Sequence, residues 1–225
     1  SARAPYVAVP EENCWPVSDG ISDEIAAVFD PLGNAVHTVM SAGVSGKSVL
    51  ITGVGIIGLM AVTVAKAAGA GKIFVTDMDE RRLKLAAQLG ADRAFKATDD
   101  WTTEVLNLTR AHGPHAMLEM SGNPDAIRDG FSVLRSGGTA AMLGIPSNEI
   151  KLDLAKLIIF KGTTILGING RRMFETWYQM ENLLLSERLE IAPIITHVLE
   201  MNEFEKGLKM MQTGEAIKVV IKMPD

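Results

Sequence analysis

Three glycines and one aspartate have the spacing expected of a phosphate-binding turn. Gly53, Gly55 and Gly58 form the pattern G-x-G-x-x-G, and Asp77 follows 24 residues after Gly53. The first glycine permits a tight turn, the second lets the backbone approach a pyrophosphate, and the third lets a helix pack closely on a strand. The free amides at the start of that helix attract phosphates. A carboxylate at position 77 accepts hydrogen bonds from ribose hydroxyls and repels a 2′-phosphate, so the pattern predicts a site for NAD.

Two alternatives remain open at this site. Arg82 follows Asp77 by five residues, and an arginine close to the ribose can also bind the extra phosphate of NADP. With Asp77 present, we interpret Arg82 as a residue that bounds the adenine. The other alternative is a packing turn without a ligand, because the glycine pattern has predictive value only between a strand and a helix.

The glycines do lie between a predicted strand and a predicted helix. From residue 48 onward, short apolar runs alternate with segments of helical period, and six strands are predicted at Val49–Ile51, Ile73–Val75, Ala94–Phe95, Ala116–Met120, Thr139–Leu143 and Thr163–Leu166. Helices are predicted between them, at Ile56–Ala68, from Asp79 onward, at Trp101–Thr109, from Pro124 and at Leu154–Ile159. This alternation predicts the α/β class: a doubly wound, six-stranded parallel Rossmann sheet with helices on both faces.

Ligands of such sheets bind at the carboxyl ends of the strands. This rule selects three segments beside the glycine turn, although glycine and serine are also ordinary turn residues. The segments are Met120–Gly122, Leu143–Ile145 and Ile168–Asn169. Glu119 lies within a buried-looking strand, where an ionised carboxylate needs a partner. We expect Glu119 to orient neighbouring backbone near the nicotinamide without acting as a catalytic residue.

The two ends of the chain do not continue the alternation. Residues 1–20 contain three prolines and a β-like piece at Tyr6–Val9. After a helix at Phe174–Leu185, a strand at Ile194–Leu199, a helix at Asn202–Met211 and a strand at Ile217–Lys222 are predicted. These pieces are too few to bury a core of their own. We therefore expect a dinucleotide-binding domain at 26–190, flanked by remnants of a second domain at 1–25 and 191–225.

Composition excludes several classes of function. The net charge is −5 and no run of basic residues is longer than two, which argues against a nucleic-acid partner. Eighteen uncharged residues, Ser48–Ala65, approach the length of a membrane span. Three glycines in that run favour a buried strand, turn and helix instead, so no membrane partner is expected. One cysteine, Cys14, excludes an intrachain disulfide and favours the cytoplasm.

Three further stretches make the chain similar to a known family. The fingerprint spacing resembles that of zinc-dependent medium-chain dehydrogenases, the alcohol dehydrogenase superfamily. Residues 29–38 (FDPLGNAVHT), 170–178 (GRRMFETWY) and 193–197 (PIITH) resemble the L-threonine 3-dehydrogenases within it. The resemblance covers nearly the whole chain. It implies that the second domain is GroES-like and that the protein is a homo-oligomer, either a dimer or a tetramer.

The resemblance also implies an activity and a set of site residues. The activity is NAD-dependent oxidation of the C3 hydroxyl of L-threonine, or of a similar small hydroxy substrate, to 2-amino-3-oxobutanoate. Asp30 matches an acid that supports a proton relay near the zinc without binding the metal. On local pattern alone, Asp30 before Pro31 would be a helix cap. The implied cofactor contacts are Ile57, Asp77, Arg82, Leu143, Gly144, Ile145, Ile168 and Asn169.

The family uses a catalytic zinc that polarises the substrate oxygen. Its ligands lie in an N-terminal domain that should precede residue 1. Cys14 and the four histidines do not have a recognisable ligand spacing, and a catalytic zinc needs about three protein ligands. We therefore expect no metal ligand in this chain, which would bind NAD(H) without turning over. A polyol or 2,3-butanediol dehydrogenase, and a non-catalytic NAD-binding or assembly module, remain alternatives.

Overall fold

The structure, a computed structural model, describes residues 7–223. It divides into two compact units. The larger unit is Asp30–Glu190, and the smaller consists of the described parts of Ser1–Phe29 and Ile191–Asp225.

The larger unit contains a six-stranded parallel sheet. Its strands are β1 (Ser48–Thr52), β2 (Lys72–Asp77), β3 (Arg93–Lys96), β4 (Ala116–Glu119), β5 (Thr139–Met142) and β6 (Thr164–Gly167). They lie in the order β3-β2-β1-β4-β5-β6, and every neighbouring pair is parallel. The predicted doubly wound fold is therefore confirmed. The order reverses between β1 and β4, which is where such sheets bind ligands.

Eight α-helices lie within residues 7–223, and several of them begin at a side-chain cap. They are α1 (Asp23–Ala26), α2 (Phe29–Ala42), α3 (Ile56–Ala67), α4 (Glu80–Leu89), α5 (Trp101–Leu108), α6 (Pro124–Val133), α7 (Glu175–Leu185) and α8 (Phe204–Gln212). The side chains of Asp79, Asp100 and Asn123 cap α4, α5 and α6 by accepting backbone N–H bonds. Helix α3 begins at Gly55 without a side-chain cap. The helix predicted at Leu154–Ile159 is a single π-helical segment, Ala155–Ile159.

The core explains the long uncharged run in the sequence. Residues 48–65 comprise β1, the glycine turn and most of α3, and Leu59–Ala65 of that helix are buried. On one face of the sheet, Leu50, Phe74 and Met117 pack with Trp101 of α5 and Phe131 of α6. None of the helices within residues 7–223 has the length and hydropathy needed to cross a membrane.

The smaller unit contains two parallel strands, β7 (His197–Glu200) and β8 (Val219–Lys222), against which α8 packs. Both strands begin later than predicted. Ala192–Ile194 form a short 3₁₀ helix around Pro193, and β8 begins only where pairing with β7 begins. The prediction of a β-like piece at Tyr6–Val9 is wrong for residues 7–9, which are exposed and form no strand. Tyr6 lies outside the described residues.

Candidate dinucleotide-binding site

The turn between β1 and α3 is so close to its neighbours that two of its glycines cannot be replaced. Gly53 has a φ of +84°, and a Cβ atom there would lie 2.8 Å from the Cβ of Ser121. A Cβ at Gly58 would collide with the carbonyl oxygen of Gly53. Positive φ and backbone-to-backbone contact both select glycine. These two glycines therefore set the path of the turn.

Gly55 differs from the other two glycines. Its φ of −62° is open to any residue, and an added Cβ would meet nothing within 4 Å. It stands at the N-terminus of α3, which lacks a side-chain cap, with Ile57 half-buried in the first turn. Open space in front of unpaired amides and a positive helix end fits a pyrophosphate. This is the feature of the structure that fits a dinucleotide best.

Asp77 lies at the end of β2 and binds the glycine turn directly. Its Oδ2 accepts a hydrogen bond of 2.8 Å from the Val54 amide, and its Oδ1 accepts one of 2.9 Å from the Asp79 amide. Each carboxylate oxygen can accept more than one hydrogen bond, so ribose hydroxyls can still bind there. The structural role of Asp77 in the turn was not predicted, because it depends on how close β1 and β2 lie.

A cavity of about 230 Å³ opens beside Asp77. Trp101, from the start of α5, lines it together with Met78, which is exposed. The remaining lining residues come from the ends of β1, β2, β3 and β4 and from α6: Gly53, Thr76, Asp77, Ala97, Ser121, Asn123, Asp125, Ala126 and Asp129. The position of the cavity beside Asp77 suits an adenosine group. Arg82 is half-buried in the first turn of α4 and does not line this cavity.

Sequence reasoning missed Trp101, Asp125 and Asp129 as lining residues. A signal was available for the two acids, because they lie one helical turn apart directly after β4. Asp129 makes the cavity acidic together with Asp77, whereas Asp125 forms an ion pair with Arg128. Burial raises the pKa of Asp129, and the charge of Asp125 raises it further. Such a wall favours a neutral ribose over one that carries a 2′-phosphate.

Glu119, at the end of β4, is fully buried and organises the segment that follows the strand. Its Oε1 accepts hydrogen bonds from the Ser121 amide at 2.9 Å, from the Ser121 hydroxyl at 2.5 Å and from the Gly122 amide at 3.1 Å. Thr52 Oγ1 donates a fourth at 3.3 Å. The expected partners of this carboxylate are therefore present, and they are two backbone amides and two hydroxyls.

The segment after β5 lies against the one that Glu119 organises. The amides of Leu143 and Gly144 each donate to the Glu119 carbonyl at 2.9 Å. Gly122 has a φ of +64°, and a Cβ there would lie 2.6 Å from the carbonyl oxygen of Ile145, whose side chain is 91% exposed. The predicted contacts after β5 thus stand beside Ser121 and the glycine turn, at the same edge of the sheet.

The predicted contacts after β6 lie further along that edge. The Ile168 amide donates to the Met142 carbonyl at 2.9 Å, which extends the pairing of β5 and β6 by one residue. Ile168 is buried and Asn169 is exposed. Their backbone follows the carboxyl end of β6, so all the predicted segments share one sheet edge.

Asp30 lies inside the first turn of α2 and is not its cap. Its carboxylate forms an ion pair with Arg171. The Arg171 guanidinium lies 5.6 Å from the centre of the Trp177 ring, and its side chain approaches Gly33 so closely that a Cβ there would lie 3.1 Å from Arg171 Cδ. His37 Nδ1 donates a hydrogen bond of 2.8 Å to the Gly170 carbonyl. These contacts join α2 to the loop that follows Asn169.

Within residues 7–223, no group of three or more His, Cys, Asp or Glu side chains is placed to hold a metal ion. Asp30 and Arg171 instead neutralise each other. The described residues therefore do not fit a zinc ion, and none of them is assigned a role as a metal ligand.

Comparison with known proteins agrees with this geometry. Residues 57–186 match the family described as zinc-binding dehydrogenase. The chain therefore belongs to the zinc-binding dehydrogenase family, and the expected superfamily is confirmed.

Individual relatives show which dehydrogenases the chain is similar to. The chain is 46% identical over 221 residues to the L-threonine 3-dehydrogenase of Pseudoalteromonas atlantica, a match that covers 98% of this chain and 64% of the relative. Among solved structures, it is similar to an alcohol dehydrogenase from Thermotoga maritima (27% identity, TM-score 0.84, 92% of this chain and 59% of that chain). An alcohol dehydrogenase from Thermus sp. ATN1 is similar too (28% identity, TM-score 0.82, 92% and 62%). The chain thus spans less than two thirds of each of these proteins.

We expect replacement of Glu119 by Gln to lower the free energy of unfolding of the larger unit by about 1–3 kcal/mol, because the neutral amide keeps one acceptor oxygen and turns the other, which accepts from the Gly122 amide at 3.2 Å, into a donor. Urea unfolding followed by fluorescence measures this. Glu104→Gln is the matched control, since Glu104 is exposed on α5, and should cost less than about 0.5 kcal/mol. Equal effects of the two changes would contradict the assigned role of Glu119.

Proposed function

We propose that this chain binds NAD(H) at the edge formed by the glycine turn, Asp77 and the segments after β4, β5 and β6. The observation that carries the proposal is Gly55, which faces open space at an uncapped helix N-terminus while its two neighbouring glycines are packed against backbone or Ser121. A packing turn without a ligand has no need of that open position. The acids at positions 77 and 129 support NAD over NADP.

We further propose that the protein oxidises the C3 hydroxyl of L-threonine. The support is the identity to L-threonine 3-dehydrogenases, which extends over 98% of this chain. When bound, NAD⁺ accepts the hydride from C3, and the hydroxyl proton must leave for water. Asp30 is the residue of this chain that we assign to that proton relay. Arg171 would act as a positioning residue, because its ion pair holds the Asp30 carboxylate beside the loop that follows Ile168 and Asn169.

We propose that turnover requires groups beyond the described residues. Catalysis in a zinc dehydrogenase needs a metal that polarises the substrate oxygen, and residues 7–223 contain no cluster suited to it. The same observation favours a second candidate function, an NAD-binding module without catalysis. One result distinguishes the dehydrogenase from the module. Both would bind NADH equally well, but the module would show no activity in any form of the protein.

We also propose that copies of the chain associate through the edge of the main sheet. Strand β6 is the last strand of the sheet, and its outer side is unpaired within the described residues. Phe160 is 84% exposed, Ile159 70% and Ile165 46%. An apolar, unpaired edge is a place where another sheet can add, which suits a dimer or a tetramer. We also propose that this assembly is cytoplasmic.

Replacement of Gly55 by Ala should leave the fold intact but weaken NADH binding about tenfold or more, because the new methyl group occupies the space proposed for the pyrophosphate. Fluorescence titration with NADH measures the affinity. Gly58→Ala provides the contrast, since its Cβ meets the Gly53 carbonyl and should lower stability first. Unchanged NADH affinity in a folded Gly55→Ala protein would contradict the site.

The threonine proposal is tested with the protein encoded by the complete gene. We expect NADH formation with L-threonine to exceed that with sorbitol or 2,3-butanediol by about tenfold or more, since binding groups for the substrate amine and carboxylate are unused by a diol. Absorbance at the NADH band measures the rate. Activity on a diol alone would contradict threonine, and NADH binding without activity on any of the three would favour the module.

A further inference from the structure

A second cavity lies at the opposite edge of the main sheet from the glycine turn. Ser48 begins β1, Lys72 begins β2 and His115 directly precedes β4, so all three mark the amino ends of parallel strands. Together with the loop after α5, they enclose a cavity of about 220 Å³. Because the predicted dinucleotide contacts all follow carboxyl ends, this cavity is separate from that site.

The charges that line this amino-edge cavity are all positive. Its ionisable lining residues are Lys72, Arg110, His112, His115 and Arg135, and no acidic residue is among the lining groups. The Lys72 ammonium has a counterion, because its Nζ lies 2.8 Å from Asp92 Oδ1. Arg110 and Arg135 form no ion pair with any carboxylate of residues 7–223. Two guanidinium groups are therefore left without a counterion in a chain of net charge −5.

The contact that Arg135 does make adds no negative charge. Its Nη1 contacts His115 Nε2, and the other ring nitrogen, Nδ1, lies 2.8 Å from Ser48 Oγ and 3.2 Å from the Ser48 amide. Burial lowers the pKa of His115, and the charges of Arg135 and Lys47 lower it further. The guanidinium can only donate, so His115 Nε2 accepts this contact. The imidazole holds one edge of the half-buried Arg135 guanidinium and leaves its other N–H donors available.

The loop that bears Arg110 is held in place by its own backbone. Arg110 and Ala111 have φ values of 53° and 60°, and Gly113 has a φ of 81°. The Gly113 amide donates to Thr109 Oγ1 at 3.0 Å. A Cβ at Gly113 would collide with the Val133 carbonyl, so this loop is packed against the end of α6. Residues other than glycine rarely adopt this conformation in succession.

Apolar groups complete the cavity. Phe74, which is buried, and Leu108, which is partly exposed, line it beside the cationic groups. A volume of about 220 Å³ is below the usual range for a drug-sized ligand. An anion with a small apolar substituent matches both parts of the wall, because arginine forks bind phosphate oxygens in pairs while carbon groups pack on carbon.

We propose that the amino-edge cavity binds the dianionic phosphate of a small phosphomonoester. Arg110 and Arg135 supply the counter-charge, His115 orients Arg135, and Phe74 and Leu108 contact the organic group. This site accepts a ligand that is different from the dinucleotide and leaves the glycine turn free.

Calorimetric titration of the chain with inorganic phosphate and with phenyl phosphate, at low ionic strength and with NADH present in excess, tests the proposal. We expect both to bind saturably and phenyl phosphate to bind about fivefold tighter, because its ring adds apolar contact. Arg135→Gln should weaken each by about tenfold. Arg110→Gln should weaken the binding of each probe by the same factor. Because Arg110 is an exposed loop residue, this variant tests the proposal even if Arg135→Gln fails to fold.

Arg188→Gln is the matched control, because Arg188 is exposed and lies outside the cavity lining. It should change neither affinity. An equal loss in Arg188→Gln would overturn the proposal in favour of non-specific charge attraction. Phosphate binding that occurs only without NADH would overturn it by placing the anion at the glycine turn. Equal affinities for the two probes would overturn the phosphomonoester assignment and leave free phosphate as the ligand.

Discussion

The backbone of Gly53–Gly58 passes through a space that admits no Cβ atom at either end. Ser121 closes it on the side of β4, and the Gly53 carbonyl stands directly against Gly58. On the side of β2, the Asp77 carboxylate holds the Val54 amide at 2.8 Å. Because the turn is held from both neighbouring strands, α3 starts at one defined point. Its uncapped N-terminus therefore faces the place where the strand order reverses.

Contacts between neighbouring segments link the fixed path of the Gly53–Gly58 turn to the ends of β4 and β5. Buried Glu119 holds Ser121 and Gly122 through their amides, and Ser121 in turn limits the position of Gly53. The Glu119 carbonyl accepts from the segment after β5. A carboxylate buried without such donors would cost several kcal/mol. Here the donors include backbone groups of the proposed site, so the cost of burial is offset and these groups are held in place.

The parts of the fold that could be predicted are those that local sequence determines. Short apolar runs identified the six strands, and the turn with Asp77 selected the sheet edge of the proposed site. Trp101, Asp125 and Asp129 were missed because they meet only when α5 and α6 pack beside β2 and β4. The pair of Asp30 and Arg171 depends likewise on packing that no local pattern shows. The predicted strand at Tyr6–Val9 was wrong for residues 7–9, because β propensity without a pairing partner does not form a strand.

We propose that this edge of the sheet recognises NAD through an acidic ribose site. Calorimetric titration of the chain with NAD⁺ and with NADP⁺, at matched ionic strength, compares the two dinucleotides. We expect NAD⁺ to bind about tenfold tighter or more, because Asp77 and Asp129 would repel the 2′-phosphate of NADP⁺. Tighter binding of NADP⁺, or no saturable binding of either dinucleotide, would contradict it.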